Sequence, residues 1–227
     1  MQPGAASSIV GSSGLPEPAT KLTKKLLLCG VVAGPLYVVL GWGQAFTREG
    51  FDPARHPLSL LSNGPLGWIQ IANFVVTGLM VIACATAMRN VKIYGAWGPL
   101  LLGVYGLGLI AAGIFVADPA MGFPPGTPMG PPRTISTHGM LHFMSGGVGF
   151  LGLIASCFAF ARRFATQKQS GWAAYSVATG VIFFAAFFGI ASGSGKVWII
   201  IAFSLAVVLA WAWITAMAAR TLRAIKD

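Results

Sequence analysis

The run Leu66 to Met88, LGWIQIANFVVTGLMVIACATAM, holds 23 residues and no Asp, Glu, Lys or Arg. At about 1.5 Å of rise per residue, a helix of that length covers the roughly 30 Å hydrocarbon core of a bilayer. Five further runs behave alike: Leu26 to Phe46, Ala96 to Ala117, His138 to Ala161, Trp172 to Ala191 and Val197 to Ala218. Their apolar residues are continuous instead of alternating, which points to helices, whose backbone bonds close within each segment, and not to a barrel. The expected fold class is therefore all-α, a polytopic membrane protein with six transmembrane helices.

Composition agrees. Of 227 residues, 56% are hydrophobic and 9% charged, with a mean hydropathy of +0.75, against about 25% charged residues in an ordinary soluble domain. The formal net charge of +10 would suggest a nucleic-acid partner in a soluble protein. Here the 15 basic residues are scattered between apolar runs without a basic–aromatic surface motif, so no nucleic acid is expected as partner.

The basic residues serve better as topology signals. Eleven flank one side, in the N-terminal tail (Lys21, Lys24, Lys25), the connection between runs 2 and 3 (Arg89, Lys92), that between runs 4 and 5 (Arg162, Arg163, Lys168) and the C-terminus (Arg220, Arg223, Lys226). The other side holds four, Arg48, Arg55, Arg133 and Lys196. The positive-inside rule then predicts both termini cytoplasmic, in a multi-pass protein of the inner or plasma membrane. Residues 1–25 are expected to form a flexible cytoplasmic tail, 26–218 the membrane domain and 219–227 a basic cytoplasmic tail. The first run is too long for a signal-peptide core, and Cys29 opens it instead of closing it, so a retained anchor is expected. Cys29, Cys84 and Cys157 are too dispersed for a CxxC motif and fall on the reducing side as free thiols. Trp42, Trp68 and Trp198 fit one aromatic belt, Trp97 and Trp172 the other.

Two small-xxx-small patterns, Gly30 to Gly34 and Gly189 to Gly193, predict close helix packing. Gly189 to Lys196 has the wrong spacing and lacks the Ser or Thr of a phosphate-binding loop. Two long connections lie on the outer side, Thr47 to Pro65 and Asp118 to Thr137. Their proline content forbids a helix and favours an ordered cap over the bundle. Each contains Asp-Pro-Ala, and sliding the chain by about 72 positions aligns Gly67-Trp68-Ile69-Gln70 with Gly139-Met140-Leu141-His142, a weak internal repeat.

Runs 2 and 4 each carry a polar stripe in the outer half. Gln70, Asn73 and Thr77 make one stripe and His138, His142 and Ser145 another, at helical spacing. Because polar groups in hydrocarbon are costly unless they face protein or water, the two stripes predict an outward-facing polar cavity between helices 2 and 4. All three histidines, with Asp52 and Asp118, fall on that side.

Two chemistries suit this set. In one, His138 and His142 bind zinc from one helical face, with His56 or Asp118 completing the shell and a position left for water. The metal-bound water attacks a lipid or lipid-linked substrate, with Asp52 or the other carboxylate as base, Ser59 supporting an oxyanion, Arg55 or Arg133 steadying an anionic head group, and Gln70 and Asn73 on the substrate side. In the other, the same residues are structural: His138 caps helix 4, His142 bonds to Gln70 or Asn73, and Asp52 pairs with Arg55 to fold the loop. The protein is then a carrier, lipid-binding or sensory module whose partners are membrane lipids. HxxxH alone does not separate the two, and HExxH is absent. A haem sandwich would need His56 as second ligand, and a proton pump would want carboxylates at mid-membrane.

The segments Asp52-Pro53-Ala54-Arg55-His56-Pro57-Leu58-Ser59-Leu60-Leu61, Gly67-Trp68-Ile69-Gln70-Ile71-Ala72-Asn73-Phe74, Asp118-Pro119 and His138-Gly139-Met140-Leu141-His142 together resemble the bacterial and archaeal membrane family known as domain of unknown function 998. The resemblance spans about residues 25 to 220 and implies six helices, with no established activity. A looser likeness, of chemistry only, is to the alkaline ceramidase and adiponectin receptor zinc hydrolases, which join an HxxxH pair to another His, an Asp and a Ser. Those proteins have seven helices with the pair on the last, whereas here it opens helix 4.

Overall fold

The computed structural model describes residues 17–132, 134–193 and 195–225. Among these residues, six helices are long and apolar enough to cross a membrane: α1 (Glu17–Thr47), α2 (Gly67–Val91), α3 (Trp97–Ile114), α4 (Thr137–Thr166), α5 (Ser170–Ala191) and α6 (Val197–Ala224). A short 3-10 helix, Leu58–Ser62, lies between α1 and α2. No strand occurs among the described residues, which carry one isolated bridge, Ala120 to Phe123.

Each helix packs on its neighbours in sequence, and α1 closes on α6, giving a ring of six. The connections α1–α2, α3–α4 and α5–α6 share one end, called here the loop end; α2–α3 and α4–α5 share the basic end.

Several boundaries differ from those expected. The first helix begins at Glu17, not Leu26, with Pro18 in its opening turn, where a missing N–H costs nothing. The third ends at Ile114, where Phe115 turns extended before Asp118-Pro119. The fourth continues through Arg162 and Arg163 to Thr166, since cations complement a helix C-terminus. Residues 1–16 and 226–227, including most of the expected N-terminal tail, lie outside the described residues.

Glycine sets how closely the ring packs. Gly30 faces Cys84 and Ala218, and Gly34 faces Thr215 and the Trp211 carbonyl, so the α1 pattern is a packing seam. In the second pattern only Gly189 meets a neighbouring helix, at Ile199. A second seam, backbone against backbone, joins α2, α3 and α4: a Cβ on Gly78 would meet the Gly106 carbonyl, and one on Gly108 would meet the Gly149 backbone. Toward the basic end the ring is filled by large buried rings and thioethers, among them Trp211, Trp213, Phe160, Phe164 and Met88. Outward, Val39, Leu79, Leu107, Val148, Phe184 and Leu205 are exposed, a belt that lipid covers better than water. Trp68, Trp97 and Trp198 are also exposed, near helix ends. Cys29, Cys84 and Cys157 are free.

Candidate functional site

Across the loop end the two long connections fold onto each other as an ordered cap with its own small core of Phe51, Leu58, Leu60, Leu61, Ala117 and Phe123. Phe123 is fully buried and meets Phe51 edge-on at 5.1 Å between centroids. Arg48, one residue past α1, donates from both terminal nitrogens to the Leu61 and Asn63 carbonyls at 2.6 Å each, and its guanidinium lies 5.0 Å from the Phe123 ring centre. Burial lowers the pKa of this guanidinium from its ordinary value. Arg48 thus ties α1, the 3-10 turn and the second connection together.

Beneath the cap, the loop half of the ring encloses a cavity of about 620 Å³, within the range of about 300–1,000 Å³ typical of small-ligand sites. Its floor is aromatic, with Tyr37, Tyr105, Phe150 and Phe203 lining it, and Trp211 packed behind Tyr37 at 4.6 Å and Tyr105 at 5.8 Å. One wall is the α4–α5 seam at Phe143, Gly146, Gly147 and Phe187. The rim consists of Pro57, Ser59, Pro131, Pro132 and Ile135 from the two connections. The walls are mainly apolar, and no described lining residue is charged. The cavity differs from the polar one expected between helices 2 and 4: it lies at the loop end, but its lining is mainly apolar, and of the two stripes only His142 reaches it.

Among its buried polar side chains are Ser204 and His142, each 5% exposed. The ring Nδ1 lies 3.0 Å from the Ala112 carbonyl and 2.8 Å from the Phe115 carbonyl, so it donates to both at the C-terminal end of α3. Those carbonyls have no partner within their own helix, and they fix the imidazole tautomer and orientation. In the neutral ring this leaves Nε2 as the acceptor, with no hydrogen-bond partner among the described residues, on a residue that lines the cavity. The expected bond to Gln70 or Asn73 is not made.

Gln70 and Asn73 instead face α1. Gln44 Nε2 donates to Gln70 Oε1 at 3.0 Å, and Asn73 Nδ2 donates to Gln70 Oε1 at 3.3 Å and to the Tyr37 carbonyl at 3.2 Å. Their opposite amide atoms, Gln70 Nε2, Asn73 Oδ1 and Gln44 Oε1, are buried without protein partners. The α2 contribution to the cavity is Phe74, 6.4 Å from the His142 ring. Sequence reasoning missed Gln44 and Tyr37, although Gln44 stands two turns after Tyr37 on one face of α1.

The remaining metal candidates are engaged elsewhere. His56, 3% exposed, accepts from the Asp52 N–H at Nδ1 (2.8 Å) and donates from Nε2 to the Met121 carbonyl (2.9 Å), pinning the two connections together with both ring nitrogens. Asp118 Oδ2 accepts from the Ser136 N–H at 2.9 Å, and Ser136 Oγ in turn accepts from the Gly139 N–H at 3.0 Å. Asp118 thus supports the N-cap of α4, and the capping expected of His138 falls to Ser136. His138 is exposed, with its ring edge-on to Phe115 at 5.8 Å. No group of three His, Cys, Asp or Glu able to hold a metal exists among the described residues. The described residues, as placed, offer no ligand set for a zinc ion.

Asp52 Oδ1 accepts from the Ala54 N–H at 2.9 Å, and its Oδ2 lies 3.4 Å from Arg55 Nε, both side chains about half exposed. This is a loop-folding pair on the surface, worth little by itself, and neither residue lines the cavity. Ser59 stands on the rim. Arg133 lies outside the described residues.

The family model described as protein of unknown function (DUF998) matches residues 31–220. The chain belongs to that family. The DUF998 match begins inside α1 and ends in the closing turns of α6, so it takes in the cap, the cavity and His142. No solved structure and no curated protein gives a significant match.

Proposed function

We propose that this membrane protein is a lipid-binding or carrier module whose capped cavity holds a neutral amphiphile, with apolar chains against the aromatic floor and a hydroxyl donating to His142 Nε2. The observation that carries this reading is the single buried imidazole, oriented by two α3 carbonyls, in a cavity whose described lining is otherwise uncharged and mainly apolar. A mainly apolar pocket with a few polar groups, here His142, Ser204 and the Tyr37 and Tyr105 side chains, selects an apolar chain and a polar head-group contact. The excess of basic residues at the end opposite the cap supports cytoplasmic termini and a cap on the outer face, where a lipid of the outer leaflet would enter.

Hydrolysis has weaker support. His56 and Asp118 stabilise the cap and a helix start, so His142 has no partner group for water activation among the described residues. Lipid extracted from gently purified protein and identified by mass spectrometry tests the proposal. Hydroxyl-bearing amphiphiles should co-purify with the native chain and fall several-fold in His142→Leu, as expected for one hydrogen bond of about 1 kcal/mol. Equal recovery from both would remove His142 from the site. Stoichiometric zinc that is lost in His142→Leu would restore the hydrolase.

A further inference from the structure

At the opposite, basic end, a second cleft of about 410 Å³ opens between α5 and α6, lined by Trp172, Ala216, Ala219, Arg220, Arg223 and Ala224. Residues 216, 219, 220 and 223 fall at i, i+3, i+4 and i+7, so α6 presents two small side chains and two guanidinium groups on one face. Arg220 is rigidly placed. Its guanidinium carbon lies 4.8 Å from the Trp172 ring centre and 5.3 Å from that of Phe164, and one terminal nitrogen donates to Gln169 Oε1. Its Nε is buried with no partner. Arg223 is exposed one turn further on. Among the described residues no carboxylate pairs with either arginine; the Asp52–Arg55 pair belongs to the cap at the other end.

A half-buried guanidinium without a counter-charge is costly, and an anion lowers that cost. Arginine favours phosphate because its planar fork matches two phosphate oxygens. A tryptophan beside the pair, at the end of a membrane helix, places the cleft at head-group depth. The alanine floor leaves room for the glycerol and first acyl carbons. We infer that this cleft binds the phosphodiester of an anionic glycerophospholipid from the adjacent leaflet. The two arginines repel the ammonium of a zwitterionic head group, so a net negative lipid is selected. This site is separate from the cavity and does not depend on what the cavity holds.

The test uses the full chain, delipidated in a neutral detergent, and thermal shift with native mass spectrometry. Phosphatidylglycerol should bind about tenfold tighter than phosphatidylcholine, as expected for charge-assisted contacts. Arg223→Gln, on an exposed position, should fold normally and abolish that preference, while Arg220→Lys should weaken it by removing the planar fork. Inorganic phosphate at the same concentration should produce no shift. Equal binding of the two lipids, or an unchanged preference in Arg223→Gln, overturns the site. A shift by inorganic phosphate as large as that by phosphatidylglycerol overturns the lipid as its ligand.

Discussion

Replacing Gly108 by alanine places a Cβ 2.6 Å from the Gly149 Cα, 2.8 Å from the Ser145 carbonyl oxygen and 3.1 Å from the Gly149 nitrogen. All three are backbone atoms of α4, so no side chain can turn aside and the helices must separate. Gly103, in the same helix, is the control, because its Cβ would meet only the Ala85 Cβ at 4.0 Å. Helix propensity favours alanine by up to about 1 kcal/mol at both positions and cancels in the comparison. Overpacking costs about 1–3 kcal/mol at Gly108, so the two variants should differ by about that amount. For a chain of this size, that separates their melting temperatures by roughly 2–12 °C, with Gly108→Ala the lower. Because Gly108 lies one turn before Ala112, the same displacement should lengthen the bonds from His142 Nδ1 to the Ala112 and Phe115 carbonyls and reduce co-purified lipid. The measurement is melting in detergent, followed by lipid analysis of the surviving fold. If Gly108→Ala melts with Gly103→Ala, or above it, the close α3–α4 seam is wrong.

Other substitutions separate structural from functional roles. Arg48→Gln removes two charge-assisted bonds to the Leu61 and Asn63 carbonyls. It should cost about 2–4 kcal/mol and speed limited proteolysis between residues 119 and 132; an unchanged digestion pattern would show that the cap does not depend on it. Asp118→Asn keeps an acceptor for the Ser136 N–H and should melt near the native protein, whereas Asp118→Ala should lose about 1 kcal/mol; a large effect of Asn on bound metal or on lipid recovery would contradict a purely structural aspartate. Ser156→Ala loses the bond from its buried Oγ to the Gly98 carbonyl at 2.9 Å and should cost about 1–3 kcal/mol, read by the same melting assay, without changing lipid recovery because Ser156 does not line the cavity.

The histidines show where a one-dimensional pattern stops being informative. His138 and His142 share a helical face, as their spacing requires, yet one is exposed beside Phe115 and the other is buried against α3. The i,i+4 relation fixes a direction about one helix axis and says nothing of which neighbour occupies it. Gln70 and Asn73 teach the same point. Their stripe correctly signalled a buried polar contact, but α1, with Gln44 and the Tyr37 carbonyl, supplies it. Arg48 carried no local signal at all, because its role depends on two carbonyls 13 and 15 residues later.

From the sequence alone, six apolar runs determined six helices, since hydrocarbon leaves the backbone no other partner than itself. The family resemblance and the proline-rich cap connections were legible on the same local basis. Only the tertiary structure decided that the helices close into a ring, that the hollow half of that ring lies under the cap, and that His142 alone of the histidines is buried at its wall. Those outcomes depend on glycine contacts between distant turns and on backbone carbonyls of α3, and neither pairing is encoded in the spacing of residues along one helix.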